Sequence, residues 1–419
     1  MVKIYRFAAV RPERSTAKTI AAVPYDVVTA DEVRTIITKN PRSFLRVSRS
    51  DAELPNIPSN DDRVYQRARD NFLQLLKDRC MHKDPATGMY IYRVIQNDEI
   101  FVGLCCCLDV NDYRTNHIRK HEQTQYDKED DRTRHIEITK THNGPVVLLY
   151  RDTDGIFSFI ESLIPTNLVP DLEVKTDSSA VHQIFRISEQ QTLKNLEILF
   201  DQVPSLYIAD GHHRAKSAVN VADKCSSKNC SDEINRFMGV IFPHNRVKIH
   251  GYSRLLTDFG TYTKDTFLEQ LQRYFDVKPY GPIDSSILII PPKIANPSRY
   301  HVLHMYLSGQ WYECTRPIEQ GTTFIEELDV AMLQRHVLES ILGITDPRRD
   351  PRLQYFGGAR PINDVAHLVD NGKYVLAFTI QPMEVDTVLR IADANGVMPP
   401  KSTWFEPKLL SGLLVHSFE

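Results

Sequence analysis

Asp210-Gly211-His212-His213-Arg214 gathers an acid, a glycine, two imidazoles and a guanidinium into five consecutive positions. The stretch closes an apolar, strand-like run, Val203 to Ala209, and Ala215-Lys216-Ser217-Ala218-Val219 then opens a helical pattern. A strand that feeds a helix through a glycine turn collects backbone N–H groups and the positive end of the helix dipole at one point. Three cation-capable side chains there make an anion site, phosphate above all, with Asp210 available to a metal ion or a hydroxyl. Histidines and an arginine after a buried strand are costly to desolvate without partners, and turns at strand ends are where sites sit. A zinc hydrolase is the competing chemistry, with His212 or His213 joined by Asp210 and one of His121, His135 or His142. Against it, neighbouring histidines rarely ligate one ion together, and no His-Glu-x-x-His spacing is present.

A second concentration of charge runs from Lys120 to His135, where nine of sixteen residues are Asp, Glu, Lys or Arg. A bare charge run reads first as a solvated helix laced with ion pairs three and four residues apart. Helical spacing also stacks Asp127, Asp131 and His135 on one face with Lys128 and Arg132 alongside, an arrangement able to hold Mg²⁺ indirectly or to position nucleotide phosphates. Pro24-Tyr25-Asp26-Val27-Val28 makes a shaped loop that can present Asp26 to a substrate amine, or a plain turn with a surface acid. Near the C-terminus, Met398 to Lys408 holds three prolines, two lysines and the pair Trp404-Phe405. It reads either as a lid over an anionic ligand or as an aromatic pair packed under a Pro-rich loop.

The elements that must position these residues alternate irregularly. Helices are expected over Asp61–Cys80 (capped by Ser59 or Asn60), Gln190–Phe200, Lys264–Phe275, Leu328–Leu342 and Val385–Asn395. Strands are expected at the N-terminus and over Met89–Val94, Phe101–Val110, Val146–Tyr150, Phe237–Phe242, Ile287–Ile290, His301–Leu307 and Lys373–Ile380. The fold class is therefore α+β or mixed α/β. With 419 residues the chain reads as one large two-lobed domain, the lobes spanning 1–245 and 246–419. The C-terminal Pro-rich loop is expected to pack back on the site.

Several classes fall away. A net charge of −3 gives no positive field for nucleic acid. No apolar run approaches the roughly 20 residues of a membrane span. No Walker loop or dinucleotide fingerprint is present. Seven scattered cysteines suit a reducing, cytoplasmic setting. Cys105, Cys106 and Cys107 lie consecutively in a strand and read as small buried hydrophobes. Cys225 and Cys230 lack the second pair a zinc site needs.

Taken in order, the motifs resemble a known family. They are Arg11-Pro12, Pro24-Tyr25-Asp26-Val27-Val28, Asn40-Pro41-x-Ser43-Phe44-Leu45, Lys120-His121-Glu122-x-Thr124, Asp127-Lys128-Glu129-Asp130-Asp131-Arg132-x-x-His135, Tyr207 through Arg214, and Met398 through Ser411-Gly412. The pattern, which covers essentially the whole chain, is similar to a widespread prokaryotic family catalogued as a domain of unknown function. Some of its members are similar to ATP-dependent free L-serine kinases. The turn at Asp210–Arg214 also resembles the phosphate-binding turn of ParB/sulfiredoxin-type folds, which include archaeal serine kinases that use ADP. The resemblance implies a ParB/sulfiredoxin-like catalytic core, ATP as co-substrate with Mg²⁺, and free serine as acceptor. It implies phosphate binding by Lys120, His121, Thr124, Arg132, Gly211, His212, His213 and Arg214. By the same resemblance Glu122 is the general base, Asp210 lies near the serine hydroxyl or the metal with Asp131, and Tyr25 and Asp26 orient the amino acid. A nucleotide-dependent regulatory module of ParB type is the non-enzymatic alternative.

Overall fold

The computed structural model describes residues 1–153, 155–225, 231–319 and 323–419. Cys230 lies outside the described residues, and with it the expectation about the Cys225–Cys230 spacing. The chain forms two compact units, Met1–Val247 with Pro407–Glu419, and Lys248–Glu406. The fold is mixed α/β.

The first unit is built on a nine-stranded sheet. Its strands are β1 (Ile4–Tyr5), β2 (Met89–Gln96), β3 (Glu99–Asp109), β4 (Ile118–Arg119), β5 (Val146–Tyr150), β6 (Leu172–Lys175), β7 (Val181–Ile187), β8 (Leu206–Asp210) and β9 (Arg236–Pro243). Their order is β4-β8-β5-β9-β3-β2-β7-β6, with β1 paired to β3. Pairings are antiparallel except β8 with β4 and β9 with β5. The helices that matter for the site are α1 (Asp62–Lys77), α2 (Tyr126–Thr139), α3 (Gln190–Phe200) and α4 (His212–Lys224).

Alternation along β3 decides which residues meet which layer. Cys106 joins Leu104, Leu108, Leu148 and Ile208 in one core with Leu193, Leu196 and Phe200 of α3 and Ala215, Ala218, Val219 and Ala222 of α4. Small residues on α4 let that helix lie close to the sheet. Cys105 and Cys107 point to the opposite face, and all three cysteines are wholly buried, with burial pushing their thiol pKa values up. That face also carries Tyr92, whose hydroxyl meets His182 Nδ1 at 3.1 Å and accepts from Leu410 N at 3.1 Å. The C-terminal tail is thereby part of this unit. Ser411 bridges Ala22, Val415 bridges Val10, and His416 pairs with His142.

The charged run is helical only from Tyr126 onward, Lys120–Gln125 being a loop, and α2 is not simply a solvated helix. It packs between α1 and α4, and its buried residues are Thr133, His135, Ile136 and Thr139. Hydrogen bonds do the holding: Tyr65 Oη to Asp131 at 2.9 Å, Ser217 Oγ to the Glu129 carbonyl at 3.0 Å, and His135 Nε2 with the Val47 carbonyl at 2.9 Å.

The second unit has a six-stranded antiparallel sheet in the order Asp276–Pro279, Gln310–Pro317, Tyr300–Leu307, Leu376–Ile380, Tyr252–Leu256, Leu353–Gly357. The run Ile287–Ile290, expected as a strand, is irregular. Pro291 and Pro292 cannot donate to a ladder, and Leu288 and Ile289 remain exposed. The helix expected over Leu328–Leu342 divides into Asp329–Met332 and a π-helical stretch, Leu333–Glu339. No helix among the described residues is long and apolar enough to cross a membrane.

Candidate active site

The strand β8 ends at Asp210, Gly211 turns the chain, and α4 starts at His212. Gly211 has φ +95°, a backbone conformation that favours glycine, and a Cβ there would stand 2.9 Å from Nε of the Arg214 side chain. Arg214 folds back along the first turn of α4. Its Nη2 donates to Asp210 Oδ2 at 2.6 Å and its Nη1 to the Pro145 carbonyl at 2.7 Å. Lys408, from the C-terminal tail, donates to Asp210 Oδ1 at 3.1 Å. Burial works against the charge on Arg214, but Asp210, Asp26 and Tyr25 outweigh it and raise its pKa.

Tyr25 and Asp26 sit in a turn closed by Val27 N to the Pro24 carbonyl. Arg49 fastens that turn through the carbonyls of Tyr25 and Val28, at 3.0 and 2.7 Å. The Arg132 guanidinium lies 4.5 Å above the Tyr25 ring and pairs with Asp131. Burial and the neighbouring Asp26 push the Tyr25 hydroxyl up to about 12, against Arg132 and Arg214. The loop expected to orient an amine thus lies within the electrostatic reach of the Asp210–Arg214 corner.

On the other side of α4's start, His121 and His212 meet edge to face with ring centroids 4.6 Å apart. They are 2% and 6% exposed. Burial drives both pKa values down to about 3, His212 adding to the effect at His121. Both rings are therefore neutral at neutral pH and supply no formal charge to a phosphate. His212 Nε2 is buried without a hydrogen-bond partner among the described residues, and such an atom calls for a ligand or a solvent molecule. His213 Nε2 accepts from Gln125 N at 3.0 Å, which anchors the loop before α2 to α4. Thr124, expected at a phosphate, donates to Glu129.

Lys120 lies 4.2 Å above the Tyr113 ring. Burial and the repulsion of Lys216 lower its pKa. Neither lysine has a carboxylate partner among the described residues. Glu122 is half-buried, next to His121, and makes no hydrogen bond or ion pair among the described residues. Two half-buried cations that repel each other, an unpartnered imidazole nitrogen and the amino end of a thirteen-residue helix together suit an oxyanion.

Magnesium, implied with the nucleotide, fits these residues poorly. Both oxygens of Asp210 accept from cations, and Asp131 accepts from Tyr65 at one oxygen and Arg132 at the other. Among the described residues, neither acid belongs to a cluster of three metal-capable side chains. Arg49, Lys216 and Lys408 join the site without being among the residues the sequence motifs single out for it. Lys408 carries a signal, as one of two lysines in the Pro-rich stretch, whereas Arg49, which pairs with Asp51 and reaches the turn through the carbonyls of Tyr25 and Val28, carries none.

The family model described as Protein of unknown function (DUF1015) matches residues 4–331. No curated protein matches the chain. Among solved structures, a free serine kinase in complex with AMP is 12% identical, with a TM-score of 0.40, covering 77% of this chain and 93% of that one. A conserved hypothetical protein from Pyrococcus furiosus is 12% identical, with a TM-score of 0.38 and coverages of 74% and 94%. SbnI with C-terminal truncation from Staphylococcus aureus is 10% identical, with a TM-score of 0.36 and coverages of 74% and 87%.

Proposed function

The chain belongs to the family described as Protein of unknown function (DUF1015), and for this member we propose a small-molecule kinase that moves the γ-phosphoryl of ATP to the hydroxyl of free L-serine. The products are O-phospho-L-serine and ADP. One observation carries the reading: Lys120 and Lys216, half-buried and without carboxylate partners among the described residues, flank the start of α4 beside the unpartnered Nε2 of His212. Phosphoryl transfer needs little covalent help from protein; it needs charge stabilisation, in-line positioning and an acceptor for the hydroxyl proton.

In this reading the phosphate oxygens take the N–H groups opening α4 and the two lysines. They draw Arg214 and Lys408 away from Asp210, which holds that pair until an anion competes. Asp26 and Tyr25 receive the ammonium group of the amino acid, and Arg132 fixes Tyr25 from above. Glu122 takes the proton as the serine Oγ–P bond forms and the bond from phosphorus to the ADP oxygen breaks. Mg²⁺ enters only as the companion of the nucleotide. The choice of serine rests on the motif resemblance.

The test is a panel of free amino acids incubated with ATP or ADP and Mg²⁺, with phosphorylated products read by mass spectrometry. Phosphoserine from wild type, and Glu122→Gln that binds nucleotide but loses most turnover, support the assignment. Nucleotide binding with no phosphorylated product from any acceptor replaces it with a regulatory nucleotide-binding module.

A further inference from the structure

The second unit holds a cavity of about 340 Å³. One wall is the start of the strand Tyr300–Leu307, and much of the rest comes from Asp329–Met332 and the π-helical stretch Leu333–Glu339. The volume is that of a small-molecule site. Turns of π-helix are rare and concentrate at functional sites.

His301 gives the cavity its chemistry. Its side chain is 2% exposed, and its Nδ1 donates to Asp329 Oδ1 at 3.1 Å. A carboxylate only accepts, so the ring proton sits on Nδ1 and Nε2 carries the lone pair. No group among the described residues donates to Nε2, and the atom is not sealed from solvent, so it opens on the cavity that the ring lines. A second imidazole, His336, lines the same space, and burial with Arg316 and Arg335 lowers its pKa, leaving it neutral at neutral pH. Three carboxylates, Glu319, Glu326 and Glu339, face one guanidinium, Arg335, around the cavity. Arg335 is engaged by Glu326 at 3.5 Å, and Glu319 accepts from Arg316. Glu339 has only the neutral amide of Gln334, at 2.9 Å, among the described residues. Met332 and Pro399, the latter from the Pro-rich stretch, add an apolar side.

We propose that this cavity binds an aliphatic amine in its ammonium form. The ammonium group donates to His301 Nε2, Glu339 supplies the balancing charge, and the carbon chain lies along Met332 and Pro399. An anion would meet an acceptor nitrogen and a surplus of carboxylate. A metal ion would lack a ligand set, since neither imidazole belongs to a cluster of three metal-capable side chains among the described residues. Asp329 is a positioning residue, which fixes the tautomer of His301 and takes Val302 N on the same oxygen at 3.3 Å. Every lining residue belongs to the second unit, so the site is independent of which reaction the Asp210 corner performs.

The test titrates the full-length protein, with its histidine rings isotopically labelled, near neutral pH with n-butylamine, putrescine, sodium butyrate and zinc chloride, each read by the ring resonances. Both amines should saturate one site per chain and move the His301 and His336 signals while those of His121 and His212 stay in place. His301→Phe removes the acceptor and should weaken n-butylamine binding about tenfold or more, the scale of a hydrogen bond to a charged group. Glu339→Gln, at an exposed position and so the safer variant to fold, should weaken it about two- to fivefold. Three results overturn the assignment: no saturable shift at His301 with either amine, tighter binding of butyrate or zinc than of amine at these rings, or wild-type amine affinity in Glu339→Gln.

Discussion

Replacing Asp210 with asparagine keeps the shape of the side chain and removes its charge. In the native corner that charge faces Arg214 at 2.6 Å and Lys408 at 3.1 Å. Two unit charges about 3 Å apart attract by roughly 5 kcal/mol at an effective dielectric near 20, and dehydrating them takes much of it back. The side chains are 14% exposed at Arg214, 25% at Asp210 and 22% at Lys408. They fall between surface pairs, worth about 0–1 kcal/mol, and buried pairs, whose disruption costs about 3–5 kcal/mol. A local loss of about 2–3 kcal/mol is expected. Both tryptophans, Trp311 and Trp404, belong to the second unit, so tryptophan emission is the wrong probe. Amide hydrogen exchange at β8, the first turns of α4 and Leu410–Val415 reads the effect directly, as protection reduced by roughly 30- to 150-fold. Phosphate or ADP should restore part of it in Asp210→Asn, because the two released cations turn to the added anion. Wild-type protection in the variant, with and without phosphate, would refute the view that this carboxylate holds the corner.

Lys120→Met should weaken ADP binding about tenfold, the contribution of one half-buried charge-assisted contact, while apo stability holds or rises as repulsion with Lys216 disappears; calorimetry that finds unchanged affinity removes Lys120 from the site. Gly211→Ala forces a left-handed residue to carry a Cβ against Arg214, with an expected cost of about 1–2 kcal/mol, and a urea midpoint equal to wild type contradicts it. Burial holds His121 and His212 near pKa 3, so unfolding lets each ring take up a proton between its folded value and about 6.5. Their stabilising contribution is complete above about pH 6.5 and is lost as pH falls towards 3, by up to about 1.4 kcal/mol per pH unit for each ring. His212→Gln should therefore flatten the fall of the urea midpoint between pH 7 and 5; an equal slope in the variant sinks that account.

The sequence shows an element clearly where one residue type does one job. Val146–Tyr150 is an unbroken apolar strand, and α3 repeats Leu193, Leu196 and Phe200 on one face behind Glu189, whose carboxylate caps Gln191 and Thr192. The strand Val181–Ile187 is not legible in the sequence because His182, Gln183 and Arg186 interrupt its apolar pattern. His182 and Gln183 are nonetheless buried, with partners supplied by Tyr92, Arg93 and Glu173. The cap of α1 is Asp61 rather than Ser59 or Asn60, a shift of one or two residues among several residues able to cap. The inner face of α2 is polar and satisfied by hydrogen bonds to distant elements, so periodicity could not separate it from a solvated helix. In the candidate site, the acid-glycine-histidine-arginine corner was visible as a local string. The partners that give it meaning, Lys408, Pro145 and the turn at Tyr25, come from remote positions that only the folded sheet assembles.

The first and last strands of the second unit, Lys248–His250 and Trp404–Glu406, are zipped antiparallel with Lys248 opposite Glu406. The points where the polypeptide enters and leaves that unit are therefore neighbours, separated by about 5 Å between Cα atoms. Such closure makes Lys248–Glu406 a cassette: a short hairpin joining Val247 to Pro407 can replace it without stretching either flank. A shortened gene of that design would still encode every residue of the nine-stranded sheet and the tail that returns to it.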